Sequence, residues 1–340
     1  MSDYNLNSHQ KSYILKIIHI KFINIEKYIE EIIMYIVERI NKLKREKNAI
    51  ILAHNYQSEE IQRVADFIGD SLELCITAKD TDADIIIFCG VDFMAETAKI
   101  LNKEKKVLIP EIKNTECPMA HQLPPEIILN SKRKYKNSKV IIYVNTLSSA
   151  KALADATCTS ANASEVVNSF KEKEILFGPD RNLGYYVEKR SNKKIIPIPE
   201  DGHCYVHKKF TVEDIINAKR KCPNAEVLVH PECDPEVQDM ADHVFSTGGM
   251  VKHVLNSPKD EFIIGTEVDM ITRLRIDLEK IGKSKKLIPL REDAICEPMK
   301  EITLEKLEKC LLEEKYEIKL DEKVIDKARR AIDYMISLSI

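Results

Sequence analysis

The stretch "KKVLIPEIKNTEC", residues 105–117, recurs twice further along the chain. Residues 193–204 read "KKIIPIPEDGHC" and residues 285–296 read "KKLIPLREDAIC". In each copy a short apolar run ends in Ile-Pro, six residues follow, and a cysteine closes the segment. The three prolines are 87 and 92 residues apart. A repeat of this kind predicts a chain built from three copies of one structural unit.

Three further features recur in each copy, in the same order. A β-type run ends in polar residues at 49–56 ("AIILAHNY"), 139–146 ("KVIIYVNT") and 226–233 ("EVLVHPEC"). An Ala-Asp pair and a hydroxyl follow, and a second apolar run then ends at a glycine. The aspartates and hydroxyls are Asp66 and Ser71, Asp155 and Ser160, and Asp242 and Thr247; the glycines are Gly90, Gly178 and Gly265. Four anchors in register indicate a triplication.

Short apolar runs alternate with helical stretches in every copy, a pattern typical of βαβ units with a parallel sheet. We therefore predict the α/β class, with each repeat a small parallel sheet covered by helices. Side chains just past the carboxyl ends of parallel strands line the ligand crevice of such sheets. Because the polar residues, hydroxyls and cysteines all follow strands or begin helices, three copies around an approximate threefold axis direct them to one centre.

The repeat period predicts five segments. They are an N-terminal helical extension at 1–34, the first, second and third repeats at 35–122, 123–208 and 209–300, and C-terminal helices at 301–340 that pack back on the first domain. Residues 25–48 read as an amphipathic helix that leads into the first repeat. The tail reads as two helices, and Thr303 is the predicted cap of the first.

Composition narrows the class of protein. The chain has 340 residues, 44% apolar and 31% charged, and a formal net charge of −3. Such a balance gives no reason to expect nucleic acid or a membrane surface as a partner. No apolar run approaches the roughly 20 residues that cross a bilayer, and Lys and His interrupt the Ile-rich start too often for a signal peptide. We expect a soluble cytoplasmic protein.

Nine cysteines without a secretory signal argue against a disulfide framework. No Cys-x-x-Cys pair is present in the sequence, which excludes ordinary zinc-ribbon spacing. Cys117, Cys204 and Cys296 are the cysteines that recur in register. Three converging thiolates suit a zinc ion with a further ligand or water, or an iron–sulfur cube with one iron left open. Three buried structural thiols are the alternative.

The hydroxyls Ser71, Ser160 and Thr247 fall at predicted helix starts. As N-caps they would contribute about 1 kcal/mol each. Helix N-termini also bind anions, and the repetition favours a pocket for a substrate with several carboxylates or a phosphate. Gly248 and Gly249, beside Thr247, permit close approach of the backbone.

The polar residues after the first strands break the threefold symmetry. They are His54 and Tyr56 in the first repeat, Tyr143 and Asn145 in the second, and His230 and Glu232 in the third. Histidine, tyrosine and glutamate together form a credible acid–base set. His207 lies three residues after Cys204; whether it supports that ligand or forms a pocket wall stays open, as does the role of Cys233.

With these residues in place, the chain resembles the quinolinate synthase family over about residues 49–310. The resemblance rests on "AHNYQSEEIQRVADFIGDSLEL", "IIFCGVDFMAETAKIL", "CTSANA", "GPDRNLGYYV", "GHCYVH", "LVHPEC", "STGGM" and "CEPMKEITLEKL". It implies three αβα sandwich domains with pseudo-threefold symmetry and the active site at the centre. It also implies an oxygen-sensitive [4Fe-4S] cluster whose ligands carry over to Cys117, Cys204 and Cys296.

The same resemblance implies condensation of iminoaspartate with dihydroxyacetone phosphate to quinolinate in NAD biosynthesis, with release of phosphate and two waters and an open iron as Lewis acid. A functional link to an aspartate-oxidising enzyme follows. Substrate-contacting positions carry over to His54, Ser71, Tyr143, Asn145, Ser160, His230, Glu232 and Thr247. Catalytic roles carry over to His54, Tyr56, Tyr143 and Glu232.

Two alternatives stay open at this point. A diphthamide-synthesis-like iron–sulfur enzyme has the same plan of three domains that each give one cluster cysteine, but it uses S-adenosylmethionine and acts on a protein. A non-catalytic metal-dependent binding protein would leave His54, Tyr56 and Glu232 without a role. About 30 residues at the start resemble nothing in the family, and the sequence does not predict an oligomeric state.

Overall fold

Three parallel sheets of four strands form the frame of the computed structural model, which describes residues 28–338. The first sheet has the order β2-β1-β3-β4, the second β6-β5-β7-β8 and the third β10-β9-β11-β12. The strands are β1 (Ala49–His54), β2 (Phe67–Gly69), β3 (Ile85–Cys89), β4 (Lys106–Leu108), β5 (Lys139–Tyr143), β6 (Ala156–Cys158), β7 (Glu174–Gly178), β8 (Lys194–Pro197), β9 (Glu226–Val229), β10 (His243–Val244), β11 (Glu261–Gly265) and β12 (Lys286–Pro289). All pairings within the sheets are parallel, which confirms the predicted class.

Helices connect the strands in the same order in every repeat. Helix α1 (28–46) leads into the first repeat, which has α2 (Glu59–Val64), α3 (Ser71–Asp80) and α4 (Asp92–Leu101). The second has α5 (Pro125–Lys134), α6 (Ser148–Lys151), α7 (Ala163–Ser169) and α8 (Arg181–Glu188), and the third has α9 (Val212–Lys221), α10 (Pro235–Met240), α11 (Thr247–Asn256) and α12 (Met270–Lys280). The chain ends with α13 (Glu297–Lys300), α14 (Leu304–Glu313) and α15 (Glu322–Ser337). The domain boundaries given above stay predictions, as does the structure of the extension before residue 28, which lies outside the described residues.

The repeated Ala-Asp pair has a structural cause. The carboxylate of Asp66 accepts a hydrogen bond from the backbone N–H of Ile51, at 2.8 Å, and so ties the segment before β2 to β1. Asp155 does the same for β5 and Asp242 for β9, at 2.8 and 2.7 Å. A carboxylate that accepts from a backbone N–H makes a charge-assisted bond. This hydrogen bond therefore stabilises the connection between the first two strands of each repeat.

Alternation along the first strands builds a shared core between the sheets. Leu52, Ile141 and Leu228 belong to one buried cluster that draws on all three repeats. Their neighbours Ile51 and Ile142 face separate clusters on the outer sides of the first and second sheets. Successive side chains of a strand point to opposite faces, so one face of each sheet is turned toward the other repeats.

The C-terminal helices contact two repeats. Helix α14 packs with α1 on the outer face of the first sheet, where Leu307 is buried. Helix α15 packs against α4, α6 and β6. The two predicted helices are present, and the hydroxyl of Thr303 accepts from the N–H of Lys306, as expected of an N-cap. Among residues 28–338, no helix is long and apolar enough to span a membrane.

Candidate active site

The carboxyl ends of the first strands of the three repeats open on one cavity. The end of each first strand and the loop after it place two polar side chains there from each repeat, as the parallel-sheet prediction requires. All the predicted site residues line this cavity: His54, Tyr56, Ser71, Cys117, Tyr143, Asn145, Ser160, Cys204, His230, Glu232, Thr247 and Cys296. Their convergence is therefore a feature of the fold, whereas their roles in ligation and catalysis are proposals.

A buried side chain that donates hydrogen bonds to backbone carbonyls holds the loop after each first strand. The amide of Gln62 donates to the carbonyls of Asn55 and Gln57, at 3.1 and 2.7 Å, in the first repeat. Gln238 binds the loop of the third repeat in the same way. Lys151 takes the equivalent position in the second repeat and donates to the carbonyl of Thr146. Burial lowers the pKa of Lys151 to about 8. These hydrogen bonds fix the loops, and so they keep the polar side chains of each repeat directed into the cavity.

The three cysteines follow β4, β8 and β12, and they are partly buried. Burial raises the pKa of Cys296 to about 12 and raises those of Cys117 and Cys204 further. A metal takes its thiol ligands as thiolates, so these buried thiols need a cation beside them to ionise. A donor set of three thiols, one from each repeat, fits an iron–sulfur group.

A second donor set lies in the same cavity. Ligand atoms of Cys204, His207 and Glu232 lie within 4.8 Å of one another. The imidazole of His207 is already bound on both sides, however, by Glu232 at 2.8 Å and by Thr266 at 2.8 Å. Because a metal bound here would displace the Glu232 contact, the three-cysteine set is the better fit.

A chain of hydrogen bonds crosses the cavity wall. The hydroxyl of Tyr56 lies 2.6 Å from that of Thr266, which lies 2.8 Å from Nε2 of His207. Nδ1 of His207 lies 2.8 Å from Oε2 of Glu232, whose Oε1 accepts from the hydroxyl of Tyr143 at 2.7 Å. A neutral His207 that donates from Nδ1 to a carboxylate must accept at Nε2. With His207 in that neutral form, the chain runs from Tyr56 through Thr266 and His207 to Glu232.

Burial and charge set the protonation states of the acid–base groups. Burial lowers the pKa of His54 and of His230 to about 3, so both imidazoles are neutral near pH 7. Burial opposes ionisation of Glu232, but His207 and His230 outweigh it and its pKa falls below the ordinary value. Burial and then the charge of Glu232 raise the pKa of Tyr143. The cavity thus contains a carboxylate base, neutral imidazoles and protonated phenols.

The prediction that the hydroxyls stand at helix starts holds for Ser71 and Thr247, the first residues of α3 and α11, and is wrong for Ser160. Asp70 and Ser246, and not Ser71 and Thr247, cap helices α3 and α11. Ser160 lies in a turn before α7 and not at the helix start, so the local pattern around it was misleading. The hydroxyl of Thr247 instead accepts from the amide of Asn55, at 2.9 Å. Neighbouring residues cap α3 and α11, and all three hydroxyl-bearing residues line the cavity.

The glycine prediction near Thr247 is confirmed in a different form. A Cβ on Gly248 would lie 2.6 Å from a carboxylate oxygen of Asp70, so only glycine permits this approach. The backbone N–H of Gly248 also donates to Asp70. The start of α11 therefore contacts a carboxylate of the first repeat, and Ser71 and Thr247 are brought to the same side of the cavity.

Sequence reasoning missed several residues around this cavity. His207 is buried between Cys204, Glu232 and Thr266. No sequence signal distinguishes Thr266, which links Tyr56 to His207 in the hydrogen-bond chain. Three acidic residues that bind the backbone N–H groups of the cysteines were also missed: Asp92, Asp180 and Glu267. Each stands two residues after the repeated glycine, so the repeat itself contained the signal.

Comparison with known proteins shows the family of this chain. A family model described as quinolinate synthetase A protein matches residues 38–337. A quinolinate synthase of Methanocaldococcus jannaschii is 66% identical over 305 residues, which are 90% of this chain and 99% of the relative. Those of Methanothermobacter thermautotrophicus and Thermotoga maritima are 57% and 48% identical; the matches cover 88% and 89% of this chain and 97% and 99% of the relatives. These matches decide against the diphthamide-type and non-catalytic alternatives. The chain belongs to the quinolinate synthetase A protein family and is an enzyme of NAD biosynthesis.

Proposed function

We propose that the protein condenses iminoaspartate with dihydroxyacetone phosphate to quinolinate, with release of phosphate and two waters. We propose further that Cys117, Cys204 and Cys296 hold a [4Fe-4S] cluster. The observation that carries the proposal is the convergence, in one cavity, of a thiol from each repeat with the hydrogen-bond chain that ends at Glu232. When bound, the cluster would supply a Lewis-acidic iron for a substrate oxygen.

Hydroxyl and amide groups provide for the charge of the substrates. Both are anionic, and Ser71, Ser160 and Thr247 offer hydroxyl donors around the cavity. Oδ1 of Asn145 is buried and has no hydrogen-bond partner among residues 28–338. An unpaired buried oxygen costs free energy, so a donor group of the substrate is its natural partner. These side chains bind and orient the reactants.

Glu232 and its partners move protons in this proposal. Carbon–carbon bond formation removes a proton from carbon, and each dehydration delivers one to a leaving hydroxyl. The Glu232 carboxylate is the base, and the phenol of Tyr143 is its hydrogen-bond donor. Because burial lowers the pKa of His54 and of His230 to about 3, both imidazoles stay neutral and can donate and accept hydrogen bonds to the reacting groups. Tyr56, Thr266 and His207 lie in series with Glu232, so this chain can act as a relay that exchanges protons with Glu232.

Iminoaspartate must come from an oxidation of aspartate. The assay therefore includes an aspartate-oxidising enzyme that supplies it. Anaerobically reconstituted protein is expected to contain about four irons and four sulfides per chain and to form quinolinate from the two substrates. Cys204→Ser should lose the cluster absorbance and the activity together. Cys222→Ser, at a partly buried cysteine that does not line the cavity, is the matched control and should keep both. Full quinolinate formation by a cluster-free Cys204→Ser protein would reject the proposal.

A further inference from the structure

One acidic residue per repeat binds the backbone of the cysteine in the same repeat. Oδ1 of Asp92 accepts from the N–H of Cys117 at 3.0 Å. Oδ2 of Asp180 accepts from the N–H of Cys204 at 3.2 Å, 24 residues along the chain. Oε1 of Glu267 accepts from the N–H of Cys296 at 3.1 Å, 29 residues along the chain. The same contact in three repeats is a property of the repeat unit.

Each of these carboxylates also binds the backbone after the third strand of its repeat. Asp92 accepts from the N–H of Phe93 at 2.8 Å, and Asp180 accepts from that of Leu183 at 2.7 Å. Glu267 accepts from the N–H of Asp269 at 2.9 Å. Each acid therefore joins two segments, the start of the helix after β3, β7 or β11 and the cysteine loop after β4, β8 or β12.

The cysteine loops need such a bond because no strand or helix fixes them. Cys117 and Cys204 lie outside the helices and strands, and Cys296 directly precedes the short helix α13. A cysteine thiol is one rotatable bond, χ1, away from its backbone. Holding the backbone N–H in place therefore limits the positions open to Sγ. In the second repeat the loop is also held closely from the other side, since a Cβ on Gly202 would lie 1.9 Å from the carbonyl oxygen of Pro179.

The three acids use their oxygens differently. Asp92 accepts both backbone N–H groups with Oδ1, and its Oδ2 lies 2.8 Å from Nε2 of His121. Asp180 spends one oxygen on each backbone N–H. An amide has one acceptor oxygen and one donor NH₂. An asparagine at position 92 can therefore accept both backbone N–H groups with its one oxygen. At position 180 the asparagine NH₂ would face a backbone N–H, and one of the two hydrogen bonds would be lost.

We propose that Asp92, Asp180 and Glu267 are positioning residues that hold the three cysteine loops ready for the cluster. This inference rests on the proposed function, because it concerns the ligands of the proposed cluster. Residues that orient metal ligands typically change metal affinity by about 10–100-fold when they are replaced. These residues control the rate at which the cluster is lost, and they affect catalysis only through the amount of cluster that is bound.

The test compares cluster retention in Asp180→Ala, Asp180→Asn and Asp92→Asn with the unsubstituted protein. After anaerobic reconstitution, an iron chelator is added and bleaching of the cluster absorbance is followed, with the EPR spectrum of the reduced cluster as a second readout. We expect Asp180→Ala and Asp180→Asn to lose the cluster about 10–100-fold faster. Asp92→Asn should lose it at nearly the unsubstituted rate. Equal rates in Asp180→Ala and the unsubstituted protein, or equal acceleration in both asparagine variants, would overturn the inference.

A matched control separates positioning from general destabilisation. Asp155 also accepts a backbone N–H with a carboxylate in the second repeat, but its partner is Val140 and not a cysteine. Asp155→Ala should lower the melting temperature of the cluster-free protein without faster loss of the cluster. If it speeds cluster loss as much as Asp180→Ala, the acids act only through stability and the inference fails. Failure of the unsubstituted protein to assemble a cluster would instead reject the proposed function.

Discussion

Replacement of Thr266 by valine tests the hydrogen-bond chain at its central member. The side chain is buried, and its hydroxyl contacts Tyr56 at 2.6 Å and His207 at 2.8 Å. Valine has nearly the same shape but no hydroxyl, so the change removes two hydrogen bonds with little loss of packing. Thr266 does not line the cavity, and so an effect on turnover must pass through its partners.

The size of the effect follows from these two contacts. A buried hydrogen bond contributes about 0.5–1.5 kcal/mol net, and a buried polar group left without a partner costs about 1–3 kcal/mol. We expect the free energy of unfolding to fall by about 1–3 kcal/mol. If the relay returns protons during turnover, kcat should fall by about 10- to 100-fold, since 1.4 kcal/mol in the barrier is tenfold in rate. The iron and sulfide content should not change.

The assay measures anaerobic quinolinate formation per cluster, together with thermal unfolding. Thr266→Ser restores the hydroxyl and should recover most of the turnover. Thr157→Val is the matched control, because this buried threonine donates to the carbonyl of Ala331, away from the cavity; it should lower stability and leave turnover per cluster unchanged. Wild-type kcat in Thr266→Val, or a serine variant as impaired as the valine variant, would refute the relay.

Three other predictions follow from the structure. Cys204→Ser should remove the cluster absorbance and quinolinate formation together, as measured by anaerobic spectroscopy and product assay on one sample. Lys106 and then Lys47 lower the pKa of Glu314 to about 2, so its contribution to stability is present above pH 4.5 and is lost as the pH falls toward 2; the stability difference from Glu314→Gln, at most about 1 kcal/mol for a surface pair, should shrink over that window in chemical denaturation and would be constant if the pairing were absent. Leu307→Ala, in the buried contact of α14, should reduce the free energy of unfolding by about 2–5 kcal/mol with the cluster spectrum unchanged, whereas a cost below about 1 kcal/mol would show that α14 is not packed as described.

Much of the fold could be predicted because the same residues recur at equivalent positions in the three repeats. A single Cys or Ala-Asp pair carries little information, but the same residue in three registers must serve a purpose common to all copies. For the aspartates that purpose is the hydrogen bond to the first strand, as in Asp66 and Ile51. The cysteines and the polar residues after the first strands lie at one cavity because the carboxyl ends of parallel strands meet at one edge of a sheet.

The detailed prediction failed where a local pattern has several equivalent solutions. Ser71 and Thr247 begin α3 and α11 as predicted, with Asp70 and Ser246 as the caps, but Ser160 lies in a turn before α7. Asp92, Asp180 and Glu267 stand in register after the repeated glycines, but acidic residues near helix starts are common for capping alone. Nothing in the spacing distinguishes a cap from a bond to a cysteine loop.

The amino-acid sequence by itself determined the triplication, the parallel α/β class and the set of side chains at the centre, because periodicity and strand direction are encoded locally and repeated. Only the tertiary structure decided which of those side chains bind one another. Tyr56 meets Thr266 across 210 residues of sequence, and Tyr143 meets Glu232 across 89. Such pairs depend on how three sheets pack, and hydrogen bonds form or fail over a few tenths of an ångström, a precision that no residue pattern specifies.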